Sequence, residues 1–413
     1  MRLGLIGCPL GHSYSKIIHE LFGGEYFLKE LPKDEVGNFL TRGDWDGLNV
    51  TIPYKRAVLP YCAELGDAAK KVGCVNTLVR RADGSIFGDN TDYYGFLGLA
   101  RRAGCDFRDR KVLVLGSGGA SLTARCVARD EGAREVYAVS RHPSADDEIS
   151  YADAVALHAD AEIVVNATPV GMYPKETASP LDLSAFSNVK FVLDAIYNPL
   201  RPELVLDARK LGAAAVGGLY MLVAQAAKAR EIFGAPNERS IDEVYRRLLR
   251  DMQNVALVGM PGCGKSTIAV ELSKALGRKV IDLDERIAET AGMSIPDIFE
   301  REGEPGFRDR ESAELERACL ERGVIIATGG GSVLREQNRK ALRRNCRVYL
   351  IERDLEQLET DGRPLSTRAE RLREMAVERR PFYIDAADKT VRNVILSRAV
   401  NEIVRDLNEN SCD

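Results

Sequence analysis

With 413 residues, 45% apolar and 29% charged, the chain is too long for one hydrophobic core, and two to three globular domains are expected. A formal net charge of −4 argues against non-specific binding to nucleic acid or an anionic membrane. No apolar run reaches bilayer-spanning length, the nine cysteines form no C-x-x-C, and only four histidines occur. That argues against a membrane partner, a disulfide framework and a structural zinc site, and it favours a reducing cytoplasm and a hard, oxygen-held metal.

The chain opens with the apolar run Leu3–Ile6, then Gly7-Cys-Pro-Leu-Gly-His-Ser-Tyr-Ser15 and a predicted helix from Lys16. Ser13 and Ser15 stand in the turn before it, where a hydroxyl serves equally as N-cap or ligand group. In Gly47-Leu-Asn-Val-Thr-Ile-Pro-Tyr-Lys55, alternation along Leu48, Val50 and Ile52 predicts a strand whose other face shows Asn49 and Thr51. Pro53 ends that strand and leaves Lys55 just beyond it, where α/β sheets place ligand groups. Val75-Asn-Thr77 and Gly88-Asp-Asn-Thr-Asp92 follow, and each alone reads as a turn or cap cluster.

Next comes a βαβ dinucleotide unit: strand Val112–Leu115, the turn Gly116-Ser117-Gly118-Gly119-Ala120-Ser121, helix Leu122–Glu131 and strand Glu135–Val139. An NAD-type site carries an acidic residue at the end of the second strand. Here Ser140-Arg141-His142 stands there, and the Arg141 guanidinium suits a 2′-phosphate, favouring NADP; a solvated strand-end charge is the alternative.

The order G-x-P-x-x-H-S-x-S, N-V-T-x-P-x-K, V-N-T, G-D-N-T-D resembles shikimate dehydrogenase. Lys16 is a departure, since that family more often has proline there. The likeness continues through Val164-Val-Asn-Ala-Thr-Pro-Val-Gly-Met172, Asp194-Ala-Ile-Tyr-Asn-Pro199 and Gly217-Gly-Leu-Tyr-Met-Leu-Val-Ala-Gln-Ala226. It implies 3-dehydroshikimate as substrate, with Ser13 and Ser15 on the carboxylate, and Thr51, Asn76, Asp92 and Gln225 on ring oxygens. Tyr197 joins the substrate wall; Thr168, Gly218 and Met221 join Gly116–Ala120 and Arg141 around NADP, with plain core packing an equal reading for Met221. Hydride delivery to a ketone leaves negative charge on oxygen, and Lys55 held by Asp92 supplies the proton without a metal.

After the amphipathic stretch Ile241–Arg250 no Gly/Ser or proline linker intervenes. The apolar run Val255–Val258 feeds Gly259-Met-Pro-Gly262-Cys263-Gly264-Lys265-Ser266-Thr267, a complete G-x-x-x-x-G-K-[ST] loop that cradles nucleotide phosphates. Lys265 reaches the outer phosphates and Ser266 can ligate magnesium. In Lys279–Asp284, a predicted strand, alternation puts the Asp282 and Asp284 carboxylates on one side.

Gly306-Phe-Arg-Asp-Arg-Glu311, Ile325-Ile-Ala-Thr-Gly-Gly-Gly-Ser332, Arg363-Pro-Leu365 and Glu378-Arg-Arg-Pro-Phe-Tyr383 complete an ordered set that resembles shikimate kinase over 254–408. The resemblance implies Asp282 beside the metal, Asp284 on the attacking hydroxyl, and Arg308 and Arg379 on the shikimate carboxylate, steadied by Glu311. Gly329 and Gly330 approach shikimate through their backbone, and Arg363 closes over the transferring phosphoryl group. The run from Arg353 to Arg363 is shorter than the family's, leaving weak nucleotide affinity or a substitute contact such as Arg353 as alternatives.

The expected architecture is α/β throughout: a substrate domain (1–100 and 219–250), a Rossmann NADP-binding domain (101–218) and a P-loop, nucleoside-monophosphate-kinase-like domain (252–413). The expected function is NADPH-dependent reduction of 3-dehydroshikimate followed by MgATP-dependent phosphorylation of shikimate. The alternative is an NAD-using quinate/shikimate dehydrogenase half with a weakened kinase half acting as sensor or assembly module.

Overall fold

The computed structural model describes residues 1–11, 13–354, 358 and 369–409. Two compact units, Met1–Leu248 and Leu249–Asp413, make up the chain. No helix among the described residues is long and apolar enough to cross a membrane.

The first unit begins with β1 (Leu3–Gly7), α1 (Ser15–Phe22), β2 (Phe27–Glu30), α2 (Val36–Arg42), β3 (Gly47–Val50), β4 (Glu64–Leu65), α3 (Asp67–Val72), β5 (Thr77–Arg80), β6 (Ile86–Asp89) and α4 (Thr91–Arg102). These strands form a mixed sheet in the order β2-β1-β3-β5-β6-β4. β1 is parallel to β2 and β3, whereas β5 runs antiparallel to both β3 and β6. Leu48 and Val50 are buried as alternation requires, but the strand stops at Val50. Ile52 lies past its end, 73% exposed and followed by a cis Ile52–Pro53 bond, so the predicted third apolar position is solvent-facing.

β7 (Lys111–Leu115), α5 (Gly119–Asp130), β8 (Glu135–Val139), β9 (Glu148–Ile149), α6 (Tyr151–Leu157), β10 (Ile163–Asn166), β11 (Phe191–Asp194), α7 (Glu203–Lys210) and β12 (Ala214–Val216) follow. Their strands build a second sheet, parallel throughout, in the order β12-β11-β10-β7-β8-β9. The order reverses at β7, which puts the crevice for a ligand over its C-terminal end. Every residue of β7 is buried, as expected for a central strand covered on both faces. α8 (Leu219–Phe233) then returns to the first sheet, where Ala229 and Phe233 pack with Leu3 and Leu5, and α9 (Ile241–Met252) follows.

The second unit carries β13 (Asn254–Val258), α10 (Lys265–Leu276), β14 (Val280–Asp282), α11 (Leu283–Ala291), α12 (Ile295–Leu320), β15 (Ile325–Ala327), α13 (Glu336–Asn345), β16 (Cys346–Glu352), α14 (Ala369–Ala386), β17 (Lys389–Arg392) and α15 (Leu396–Glu409). Its five strands form a parallel sheet ordered β14-β15-β13-β16-β17. Alternate residues of β13 feed opposite cores: Ala256 and Val258 enter one, Val255 and Leu257 the other. The expected strand through Asp284 ends instead at Asp282, which N-caps α11 and accepts the Asp284 N–H at 3.1 Å. Asp284 therefore projects from a first helical turn, and the alternation argument for pairing the two carboxylates does not apply.

Candidate active sites

In the first unit, a cavity of about 540 Å³ is lined by Ser13, Ser15, Thr51, Lys55, Asn76, Asp92, Tyr197 and Gln225. Lys55 is carried just past β3, with its backbone carbonyl accepting the Val75 N–H at 2.9 Å. Asp92 is placed by helix α4, whose N-cap Asn90 accepts the Asp92 N–H. The two side chains meet at 2.5 Å, Lys55 Nζ to Asp92 Oδ2. Burial alone would lower the Lys55 pKa, but the Asp92 carboxylate outweighs it and holds the ammonium above the ordinary lysine value.

The amides around this pair are oriented by buried hydroxyls. Asn76 Oδ1 accepts the Thr91 N–H at 2.7 Å and the Thr77 hydroxyl at 2.9 Å, which leaves its amide N–H groups for the cavity. Gln225 donates to the Leu222 carbonyl at 2.9 Å, and its Oε1 lies 3.3 Å from the Thr91 hydroxyl. Ser13 and Ser15 are not side-chain caps: Tyr14 is the N-cap of α1 and makes no side-chain cap bond, while Ser13 Oγ accepts the Ser15 N–H at 3.3 Å. Tyr14 and Tyr197 meet edge to face, with centroids 5.8 Å apart.

The dinucleotide turn lies at the end of β7. Gly116 has φ +102°, and a Cβ there would stand 3.0 Å from Thr168 Cγ2, so only glycine fits the turn. The α5 N-terminus has Gly118 as N-cap with no side-chain cap, and open space surrounds the Cα atoms of Gly118 and Gly119. Helix N–H groups without a side-chain cap, beside glycines that leave room for a ligand, suit a pyrophosphate. Ser121, in the sixth motif position, is fully buried, small enough for close helix–strand packing. Ser117 is exposed in the turn, Ala120 is exposed in the first turn of α5, and Arg141 is exposed two residues past β8. Thr168 lies two residues past β10, and Gly218, two residues past β12, is the N-cap of α8. Met221 packs against the second sheet's core, while its neighbour Leu222 lines the cavity.

In the second unit the glycine loop turns directly into α10, with Gly264 at φ +93° as its N-cap. Lys265 is buried and donates to the Gly259 and Met260 carbonyls at 2.9 and 3.0 Å. The Ser266 hydroxyl meets Asp282 Oδ2 at 2.6 Å. Gly262 and Cys263 are buried and Thr267 is exposed. A Cβ on Gly329 would stand 3.0 Å from an Asp284 oxygen and 2.7 Å from Glu311 Oε1, so this backbone lies against both carboxylates.

Arg308 and Glu311, one turn apart on α12, pair at 2.7 Å; the Glu311 side chain is 1% exposed, and its other oxygen accepts the Ser332 hydroxyl at 2.6 Å. Burial alone would lower the Arg308 pKa; Glu311 outweighs it and raises it. Arg379 and Tyr383 on α14 both donate to the Gly330 carbonyl, at 3.1 and 2.5 Å. Arg353 lines a cavity with Met260, Arg373, Arg380 and Arg392. Arg363 lies outside the described residues, as does His12.

A family model for shikimate kinase matches residues 261–408, and one for the shikimate dehydrogenase substrate binding domain matches residues 5–78. The NADP(+) shikimate dehydrogenase of Clostridium beijerinckii is 36% identical over 245 residues, covering 56% of this chain and 90% of that protein. A chorismate mutase/shikimate 5-dehydrogenase fusion protein from Clostridium acetobutylicum has a similar fold, with TM-score 0.56, 38% identity and coverage of 60% of this chain and 96% of that one. The Thermus thermophilus shikimate 5-dehydrogenase in complex with NADP(H) and shikimate matches with TM-score 0.54, 30% identity and coverage of 60% and 99%.

The chain belongs to the shikimate dehydrogenase family. It also carries a shikimate kinase domain, and is a bifunctional shikimate-pathway enzyme, oxidoreductase and kinase in one polypeptide. Several neighbours of the two sites escaped sequence reasoning. In the dehydrogenase, Asn49, read from sequence only as a residue on the open face of its strand, ties Asn76 to the sheet through 3.3 and 3.1 Å bonds to the Asn76 carbonyl and the Thr77 hydroxyl. In the kinase, Gly331 lies against the Arg308 guanidinium, so closely that a Cβ there would overlap it, and Asn393 donates to the Cys263 carbonyl at 2.8 Å. Gly331 was readable as the third glycine of its run; Asn393 carries no sequence signal, because it reaches the loop from 130 residues away.

Proposed function

We propose that the dehydrogenase unit reduces 3-dehydroshikimate to shikimate and that the kinase unit converts shikimate to shikimate 3-phosphate. The observation that carries this reading is the Lys55–Asp92 pair inside a cavity ringed by Ser13, Ser15, Thr51, Asn76 and Gln225, in one chain with a complete P-loop. The product of the first site is then the substrate of the second. Substrate and cofactor domains are taken as 1–100 with 219–250 and 101–218, and the kinase as 252–413. The eight described cysteines form no disulfide, which suits a reducing cytoplasm.

When bound, NADPH supplies a hydride, and ATP with magnesium supplies a phosphoryl group. In the dehydrogenase, the Lys55 ammonium donates its proton to the ketone oxygen as the C=O π bond breaks, and Asp92 holds that ammonium in place. Ser13 and Ser15 hold the carboxylate, while Thr51, Asn76, Gln225 and Tyr197 fix the ring. The open α5 N-terminus and Thr168, Gly218 and Met221 cradle the dinucleotide, and Arg141 takes the 2′-phosphate.

In the kinase, Gly262–Thr267 cradle the phosphates and Lys265 exchanges its loop carbonyls for phosphate oxygens. The Ser266–Asp282 pair is oxygen-only and poor in protein ligands, which fits a magnesium that keeps waters and phosphate oxygens. Asp284 accepts the proton of the attacking hydroxyl. Arg308 and Arg379 hold the shikimate carboxylate beside Gly329 and Gly330, with Arg363 assigned to the transferring group.

One coupled assay tests this. Purified protein is given 3-dehydroshikimate, NADPH and MgATP, and NADPH loss and ADP formation are followed together. ADP formation that begins only after NADPH oxidation supports both activities and their order. NADPH oxidation without ADP, even with shikimate supplied directly, would remove the kinase assignment.

A further inference from the structure

Asp194 ends β11 and is fully buried. Its carboxylate accepts the Asn166 amide at 3.1 and 3.0 Å and the Ile196 N–H at 2.9 Å. Asn166, also fully buried at the end of β10, turns its Oδ1 the other way, accepting the Thr168 N–H at 3.0 Å and the Thr168 hydroxyl at 2.7 Å. Thr168 abuts Gly116 of the dinucleotide turn. Ile196 in turn accepts the Gly218 N–H at 2.7 Å and precedes Tyr197 of the substrate wall.

We propose that Asp194 is a positioning residue for the dehydrogenase reaction: it fixes the Asn166 amide orientation, and through it the Thr168 loop against which NADPH binds. The Asn166 amide can serve Asp194 and Thr168 together in one orientation only, with nitrogen toward the carboxylate and oxygen toward Thr168. Among the described residues no charged side chain balances Asp194; its partners are Asn166 and the Ile196 N–H, and burial pushes its carboxyl up to about 7. A buried acid kept at such a cost, where apolar residues fill the rest of the strand, marks a polar constraint rather than a packing need.

The inference rests on the NADPH reading of this unit. Asp194→Asn keeps the shape and one acceptor oxygen but sets an NH₂ against the Asn166 NH₂, so the Asn166 orientation is no longer fixed and Thr168 loses its assured acceptor. The exchanged pair Asp194→Asn/Asn166→Asp restores complementarity. The carboxylate, now on β10, accepts from Thr168 with one oxygen and from the amide, now on β11, with the other, while the 3.3 Å bond from the Asn166 amide to the Val170 carbonyl is lost. NADPH affinity is measured by cofactor fluorescence, alongside kcat and KM, with shikimate phosphorylation by the same chain as control. Asp194→Asn should weaken NADPH binding about tenfold, and the exchange should recover part of it, the coupling expected of contacting residues. Unchanged affinity in Asp194→Asn, or an exchange no better than the single variant, overturns the proposal. Failure of both variants to fold does so too, since the pair is then structural. Wild-type protein that binds no NADPH would instead overturn the functional reading beneath it.

Discussion

The two sites hold their central lysines in opposite ways. Lys55 has a permanent counter-charge, Asp92 at 2.5 Å. Among the described residues Lys265 has none among its hydrogen-bond partners on oxygen, which are the Gly259 and Met260 carbonyls of its own loop. The difference follows from the chemistry each must perform. A proton donor has to be charged, oriented and in place before the ketone arrives, so the protein supplies the anion itself. A phosphate clamp has to exchange weak neutral acceptors for an incoming polyanion, and a resident carboxylate would compete with the substrate.

Removing each lysine breaks the comparison most sharply. Lys55→Ala should lower dehydrogenase kcat by about 10²–10⁴ with a much smaller change in substrate KM, and leave shikimate phosphorylation intact. Lys265→Ala should do the converse, abolishing most ADP formation while NADPH oxidation continues. Steady-state assays of both reactions on both variants decide it; a shared loss in either variant would sink the separation of roles. The pH profile adds a check. Because Asp92 raises the Lys55 pKa above its ordinary 10.5, no falling limb from this group should enter the dehydrogenase profile between about pH 7 and 9.

A smaller effect is expected where the kinase does build in a counter-charge. Glu311 faces Arg308 at 2.7 Å in a nearly dry setting, with side chains 1% and 10% exposed. Glu311→Ala leaves a buried guanidinium whose remaining acidic partner among the described residues is the half-exposed Glu304. Stability of the kinase unit should drop by about 3 kcal/mol, read as an earlier unfolding transition. Shikimate KM should rise in the kinase reaction while the KM for 3-dehydroshikimate stays constant. An unchanged transition would mean that solvent reaches Arg308.

How much of this was legible depended on how local each signal was. The Arg308–Glu311 spacing sits within one helical turn, and Asn90-Thr-Asp92 opens α4 as a cap followed by a first-turn acid, so sequence spacing alone places these groups. Periodicity failed where a strand was too short to carry it. β3 ends at Val50 and leaves Ile52 in solvent, and β14 ends at Asp282, so helix geometry rather than alternation sets Asp284. Long-range supports were invisible: Tyr383 on Gly330, Asn393 on Cys263 and Asn166 on Asp194 are each one polar residue among many until the sheets bring them together.

The smallest effect is the one that separates the two cofactor readings. Arg141 stands exposed two residues past β8, with Ser140 Oγ accepting the His142 N–H at 3.2 Å in the same turn. An exposed guanidinium on a 2′-phosphate is screened by solvent, and its loss should cost about tenfold in NADPH KM rather than the larger factors expected at Lys55. NADH lacks that phosphate, so its KM should not move in Arg141→Ala. The ratio of the two KM values isolates the phosphate contact from any general loosening of the turn, which would weaken both cofactors alike. If neither KM shifts, Arg141 is a solvated strand-end charge, and if both shift together it only braces the turn; in either case the preference for NADPH must come from elsewhere in the crevice. If the wild type prefers NADH outright, the NAD-using alternative replaces the NADP assignment while the Lys55–Asp92 chemistry stands.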